Sequence, residues 1–165
     1  MQKNNSYDVL NLVISQLTSH DGVTCIPDTE GNEQVVYVNQ VKVLVRKSYT
    51  ENTHVCIELL HEVQGSEWSR SWGLTSDAEW LLHVDHANHN IWYHIPTLRK
   101  FITDSISSGT LVLRNNSKRT RKFNGTASNV VSVWIDELSE CDYMYNEHGD
   151  HSHYGTFLRD VIRYV

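Results

Sequence analysis

The chain has 165 residues, 39% of them hydrophobic and 21% charged, and its formal net charge is −6 at pH 7. This composition is typical of a globular protein and excludes a disordered or low-complexity chain. No apolar run approaches the roughly 20 residues that span a bilayer, and the negative charge argues against a protein that coats nucleic acid with its whole surface.

The start of the chain and its cysteines predict a cytoplasmic protein. The first five residues are polar and lack the apolar stretch of a secretory signal peptide. Cys25, Cys56 and Cys141 are widely spaced and odd in number, so we interpret them as reduced thiols rather than as a disulfide framework. Cys56 lies within an apolar strand pattern and is expected to be buried.

An amphipathic helix is predicted near the N-terminus. Apolar residues recur there at helical spacing: Leu10, Val13, Ile14 and Leu17. Ser6 is the expected N-cap, because a serine side chain can accept a hydrogen bond from the first turn. The helix is expected to end between residues 19 and 22, where Gly22 can supply the stop.

Three segments rich in β-branched residues follow a turn at 27–32, and they span 34–38, 41–47 and 53–63. Asn39 and Gln40 form a short hairpin turn between the first two. A polar turn at 50–52 separates the second from the third. The pattern therefore predicts a three-stranded antiparallel meander directly after the helix.

The middle of the chain predicts two more strands and a helix. Residues 64–77 lack a clean period and are interpreted as a loop with a short helix. Strands are predicted at 78–85 and 90–95, joined by a polar turn at 86–89. Pro96 then opens a helix whose apolar face includes Leu98, Phe101 and Ile102.

The last third is predicted to be a C-terminal extension of a single domain that comprises residues 1–165. The expected elements are a strand at 110–113, a basic loop at 114–125, a strand at 130–135, an acidic histidine-rich loop at 141–155 and a short amphipathic helix. The helix pattern consists of Phe157, Leu158, Val161, Ile162 and Val165.

The order of these elements resembles the core of the PD-(D/E)xK nuclease superfamily. Four segments carry the resemblance to its small phage-type members: 55–60 with Glu58, 72–73, 76–80 and 91–99. The resemblance covers residues 7–104 and leaves 105–165 outside. It implies an α/β, restriction-endonuclease-like core, with the host cytoplasm as the location if a phage encodes the protein.

Hydrolysis by that fold requires two carboxylates that hold Mg²⁺, which lowers the pKa of an attacking water. A lysine two residues beyond the second carboxylate lies on the same strand face and can stabilise developing charge. If the strands at 41–47 and 53–63 pair, Leu44 lies opposite Glu58 and the required positions become Leu44, Glu58 and Leu60. A lone carboxylate holds Mg²⁺ poorly, so this register predicts an eroded site.

A second register uses Asp28 as the first carboxylate and Lys42 as the lysine, with Gln40 at the position of the second carboxylate. In this alternative Asp28 and Glu58 are the metal ligands and Lys42 completes the catalytic set. The competing interpretations are that Asp28 is a turn residue and that Glu58 faces solvent from its strand.

Two further clusters of polar residues have a functional and a structural interpretation. Zinc accepts imidazole and carboxylate ligands, which His148, Asp150, His151 and His153 could supply, whereas flanking glycines favour a solvated loop. The basic run could bind nucleic acid through its phosphates or form an exposed loop. It consists of Lys118, Arg119, Arg121 and Lys122.

Three functional hypotheses follow. In the first, a nuclease-like fold with an eroded site needs no cofactor and acts by binding a protein partner or DNA, as a phage-type counter-defence or host-takeover factor. In the second, it is an active Mg²⁺-dependent endonuclease or resolvase that uses Asp28, Glu58 and Lys42. In the third, it is a structural or assembly protein. None of the three requires a membrane.

Overall fold

The computed structural model describes residues 5–30, 34–48, 54–63, 67–70, 72–109, 114–123, 126–136, 144–146 and 154–162. The predicted strand at 110–113, Cys141, and the cluster of His148, Asp150, His151 and His153 lie outside these residues. The chain divides into two compact units. The first comprises residues 1–52, 78–95 and 140–165, and the second comprises residues 53–77 and 96–139.

The described helices and strands make a mixed α+β structure, in agreement with the predicted class. In chain order they are α1 (Asn5–Thr18), β1 (Cys25–Pro27), β2 (Val35–Val38), β3 (Val41–Lys47), β4 (His54–Val63), β5 (Glu67–Arg70), α2 (Trp72–Thr75), β6 (Trp80–Val84), β7 (Asn90–His94), α3 (Ile95–Ser107), β8 (Arg114–Phe123), β9 (Thr126–Asp136), β10 (Met144–Asn146) and α4 (Tyr154–Thr156), which continues as a π-helical turn over Phe157–Val161. None of the described helices is long and apolar enough to cross a membrane.

The first unit is built on a six-stranded mixed sheet with the strand order β1-β2-β3-β6-β7-β10. The predicted hairpin of β2 and β3 is confirmed, with Val38 opposite Val41. Asn39 and Gln40 between them have φ values of 49° and 70°, as a two-residue turn that matches the strand twist requires. The predicted strands at 78–85 and 90–95 are confirmed as the antiparallel pair β6 and β7.

The predicted three-stranded meander is wrong at its third strand. β3 pairs in parallel with β6, whereas β4 pairs with β5 and β9 in a different sheet. Val43, Leu44 and Val45 are all buried, which is typical of a strand covered on both faces beside a parallel neighbour. A parallel partner needs a long crossover connection, and residues 48–79 supply it.

The core of the first unit lies between one sheet face and two helical segments. Leu10, Val13 and Leu17 of α1 pack with sheet residues such as Val43 and Leu82 in one hydrophobic cluster. The predicted apolar face of α1 is therefore confirmed. The predicted N-cap is wrong, because α1 already includes Asn5 and Ser6 lies within its first turn.

The C-terminal segment completes the same core. Phe157, Leu158 and Ile162 belong to the hydrophobic cluster, which confirms that these three residues of the predicted amphipathic helix are buried, but Ile162 is extended and follows the helical turn. Tyr154 is also buried, and its hydroxyl accepts hydrogen bonds from Asn90 Nδ2 and Trp92 Nε1, both at 2.9 Å. The segment is thus fixed to the sheet by apolar packing and by buried hydrogen bonds.

The second unit contains a four-stranded antiparallel sheet with the order β5-β4-β9-β8. The predicted strand at 130–135 and the helix that follows residue 95 are confirmed as β9 and α3. The predicted basic loop at 114–125 is wrong over residues 114–123, which form β8 because they pair with β9. The predicted loop at 64–77 contains β5 as well as the expected short helix, α2.

Candidate functional site

Asp28 and Lys42 lie in the first unit, Asp28 beside β1 and Lys42 on β3, and these two strands are not adjacent. Asp28 directly follows β1, and its backbone N–H donates to the carbonyl of Val35 at 3.1 Å. Lys42 lies opposite Tyr37 on β2, so β2 lies between β3 and β1. Neighbouring strands are about 4.8 Å apart, so the backbones of β1 and β3 are about 10 Å apart.

The Glu-x-Lys position of the second register does not fall on a strand. Gln40 occupies the hairpin turn with a φ of 70° and is exposed. The second register therefore supplies no carboxylate beside Lys42, although Lys42 is within β3.

The first register is wrong in its pairing. Leu44 lies opposite Val35 on β2 and Leu81 on β6, and it is buried with 6% of its surface exposed. Glu58 belongs to β4 in the second unit and lies opposite Ser132 of β9. The position that would need a carboxylate on β3 thus holds a buried leucine between two apolar strands.

The proposed metal ligands are distributed over the two units, with Asp28 in the first and Glu58 in the second. Within the part of the chain that the structure describes, no three His, Cys, Asp or Glu side chains are grouped to hold a metal ion. The histidine-rich cluster lies outside those residues, so its zinc interpretation stays a prediction.

Cys25 is a free thiol in the core of the first unit. Burial raises the pKa of this thiol from its ordinary value of 9.0 to about 12. Since the thiolate is the reactive form of cysteine, a thiol that stays protonated at neutral pH is a poor nucleophile and a poor metal ligand. Cys25 is therefore a packing residue.

A polar cluster that the sequence did not predict lies where the parallel strands β3 and β6 end. Lys47 is the last residue of β3, and its ammonium donates to the backbone carbonyl of Asp85 at 2.6 Å and to Asn88 Oδ1 at 2.8 Å. Burial lowers the pKa of Lys47, and the nearby charge of Asp85 acts in the opposite direction. The carboxyl ends of parallel strands are a common place for ligands, so this cluster was a candidate site.

The contacts of Asp85 identify the cluster as the closure of a turn. Asp85 is 1% exposed, and its Oδ1 accepts from the backbone N–H groups of Ala87 and His89 at 2.9 and 2.8 Å. Asn88, with a φ of 64°, completes the β6–β7 connection. The carboxylate thus accepts hydrogen bonds from backbone donors of the turn, and Lys47 ties this turn to the end of β3.

A second polar pair lies at the opposite end of β6. His94 Nε2 is 2.7 Å from Glu79 Oε1, and the imidazole packs on Trp80 with a ring-centroid distance of 5.1 Å. The Glu79 side chain is 53% exposed, so its charge is largely screened by solvent. The pair fastens β6 to β7 at the surface.

The strongest concentration of charge in the chain lies on β8, in the second unit. Its ten residues include five Lys and Arg and no Asp or Glu, whereas the whole chain has 14 Lys and Arg against 20 Asp and Glu. Among the described strands β8 is an edge strand, because β9 is its neighbour and the sheet order ends at β8. All four residues of the predicted nucleic-acid site lie on it: Lys118, Arg119, Arg121 and Lys122.

The end of the β8–β9 hairpin has an unusual pairing pattern. β9 pairs with β4 over residues 130–136, but its residues 126–128 pair with residues 121–123 of β8 and, among the described strands, with no other. The pairing shifts register between Asn116 and Arg121, so that four residues of β8 and one residue of β9 separate the two paired stretches. We call residues 117–123 and 126–128 the basic ribbon.

No known protein family, curated protein or solved structure matches this chain.

Proposed function

We propose that the protein acts by binding nucleic acid without hydrolysing it, and that the basic ribbon is the contact surface. The observation that carries the proposal is the placement of Lys118, Arg119, Arg121 and Lys122 at the end of an edge hairpin. Lysine and arginine make most protein contacts to phosphates, and such contacts supply most of the affinity for nucleic acid. Since the chain as a whole is negative, the binding energy has to come from this local surface.

The residues of β3 support the part of the proposal that the protein does not hydrolyse nucleic acid. In a nuclease of the resembled superfamily this strand would carry acidic and basic side chains that act on Mg²⁺ and water. Here its centre is Val43, Leu44 and Val45, which are all buried. On this interpretation the fold is a nuclease-like scaffold with an eroded site, and a role in phage counter-defence or host takeover would depend on binding.

The test compares two double variants with the same loss of charge. R121A/K122A removes two cations from the basic ribbon, and R70A/K100A removes two exposed cations elsewhere in the second unit. Binding of a fluorescein-labelled 20-base-pair DNA is measured by anisotropy at several salt concentrations. We expect R121A/K122A to weaken binding and R70A/K100A to leave it nearly unchanged.

Three results would contradict the proposal. An equal effect of both double variants would mean that net charge, not the ribbon, sets the affinity. Absence of binding, together with self-association of R121A/K122A, would mean that the cations protect an exposed sheet edge from pairing with other copies. Mg²⁺-dependent cleavage of the DNA that is lost in Glu58→Ala would restore the endonuclease hypothesis.

A further inference from the structure

We infer that the basic ribbon enters the major groove of double-stranded B-form DNA. This inference rests on the proposed function and adds the class of nucleic acid and the mode of contact. It is carried by the pairing pattern at the end of the β8–β9 hairpin rather than by charge alone.

The first argument is the shape of the ribbon. Residues 121–123 and 126–128 form three antiparallel pairs, and among the described residues the pairing of β9 with β4 stops before them, at Val130. A two-stranded ribbon of this kind can enter a groove that would exclude a wider sheet. At about 3.4 Å per residue, three pairs extend about 10 Å.

The second argument is the size of the grooves. The major groove of B-form DNA is about 12 Å wide and about 8.5 Å deep and admits a two-stranded β-ribbon, whereas the minor groove is about 6 Å wide. A ribbon about 10 Å long therefore reaches the floor of the major groove while its base remains at the phosphates. The major groove of A-form RNA is deep and narrow and does not admit such an element.

The third argument is the irregularity in β8. Four residues of β8, 117–120, and one residue of β9, Asn129, separate the pair Asn116–Val130 from the pair Arg121–Ser128, and such bulges twist a strand and redirect it. Lys118 and Arg119 fall within this bulged stretch, and Arg121 and Lys122 fall within the paired end. The cations are thus divided between the base of the ribbon, where the phosphate backbones would run, and its inserted end.

The fourth argument is composition. Proteins that bind single strands stack successive bases on aromatic side chains. Residues 117–128 contain one aromatic residue, Phe123, and are otherwise small, polar or basic. This composition supports contact with phosphates and groove edges and does not support a stacking platform.

The test measures affinities for three ligands of the same length and base sequence: duplex DNA, single-stranded DNA and double-stranded RNA. We expect duplex DNA to bind about tenfold more tightly than either of the others, because only its major groove admits the ribbon. A second measurement displaces bound duplex with methyl green, which occupies the major groove, or netropsin, which occupies the minor groove. Methyl green is expected to compete and netropsin is not.

The outcomes separate this inference from the proposed function. If R121A/K122A weakens binding but double-stranded RNA or single-stranded DNA binds as tightly as duplex DNA, the ribbon binds nucleic acid and the major-groove inference is wrong. Displacement by netropsin and not by methyl green would also overturn it. If no ligand binds, or if R70A/K100A weakens binding equally, the proposed function itself fails.

Discussion

Gly73 lies where α2 comes closest to β4, within the second unit. A β-carbon at this position would collide with the carbonyl oxygen of Glu58 and would lie 2.8 Å from Ile57 Cγ2. Arg99 of α3 donates to the carbonyl of Gly73 at 3.0 Å, so the backbone is also held from the side of α3. The absence of a side chain is therefore a requirement of packing at this position.

We expect Gly73→Ala to lower the free energy of unfolding by about 1–3 kcal/mol, because overpacking a fixed backbone forces neighbouring atoms to shift. Gly109→Ala is the matched control in the same unit. Gly109 has a φ of 80°, and a β-carbon added there would meet no atom of the described residues within 4 Å, so its substitution adds backbone strain of about 1 kcal/mol without a clash. Urea denaturation of both variants measures the difference, and an equal loss would contradict the close approach.

Cys25 gives a prediction about pH. Its pKa in the folded protein, about 12, is above its ordinary value of 9.0. Ionisation is therefore easier in the unfolded chain, and the contribution of this thiol to stability is complete below pH 9 and is lost as the pH rises from 9 towards 12. Cys25→Ala should remove this component of the alkaline loss of stability, as measured by urea denaturation between pH 8 and pH 11.

The same thiol should resist alkylation in the folded protein. Iodoacetamide at pH 8, followed by peptide mapping, is expected to leave Cys25 unmodified until urea unfolds the chain, because the buried thiol is both inaccessible and protonated. Modification of Cys25 in the native state at the rate seen in urea would show that the core of the first unit opens readily.

At the scale of elements, the turn between β2 and β3 holds the C-terminal segment in place. Asn39 Nδ2 donates to the carbonyls of Leu158 and Ile162 at 2.7 and 2.8 Å, and its Oδ1 accepts from the backbone N–H of Thr24 at 3.0 Å. One side chain in a hairpin turn thus satisfies two carbonyls at the end of the chain and one donor before β1.

We expect Asn39→Gly to increase amide hydrogen exchange in residues 154–162 while the β2–β3 hairpin stays protected. Glycine tolerates the positive φ of this position, so the variant removes the hydrogen bonds without adding strain. Gln40→Gly is the control, because Gln40 is exposed and its φ of 70° also favours glycine. Unchanged exchange in Asn39→Gly would contradict the role of the turn.

Elements with a local apolar period could be predicted from the sequence. The face of α1, the β2–β3 hairpin and the β6–β7 pair follow from residue spacing and turn composition. The partner of β3 could not be predicted, because alternation indicates which side chains are buried and not which strand lies alongside. β8 was missed because its polar sequence has no alternating pattern, and its extended form depends on pairing with β9.

The candidate sites divide in the same way, into those that neighbouring residues form and those that depend on which strands pair. The basic run could be found because its residues are neighbours in sequence. The contact of Lys47 with Asp85 could not be found from the sequence, because 38 positions separate the two residues. Only the parallel pairing of β3 with β6 brings them together. The first register of the carboxylate set assumed that β3 pairs with β4, and the actual partners of these two strands could not be predicted for the same reason.

At the scale of the whole molecule, the charge distribution predicts a strong effect of salt on the proposed binding. A net charge of −6 repels DNA, and a local cationic ribbon attracts it, so binding should weaken steeply as salt rises. Each phosphate contact contributes about 0.9 to the slope of log K against log salt. R121A/K122A should therefore lower that slope by about 1.8, measured by anisotropy from 50 to 200 mM NaCl, and an unchanged slope would exclude both residues from phosphate contact.

The burial of Tyr154, Leu158 and Ile162 in the core of the first unit also has a consequence during synthesis. A ribosome makes these residues after every strand of the four-stranded sheet, since β9 ends at Asp136. The second unit can therefore pair its strands while the chain is still growing. The core of the first unit stays open until residues 154–162 have been made, so a nascent chain exposes the apolar surface of this unit to chaperones for longer.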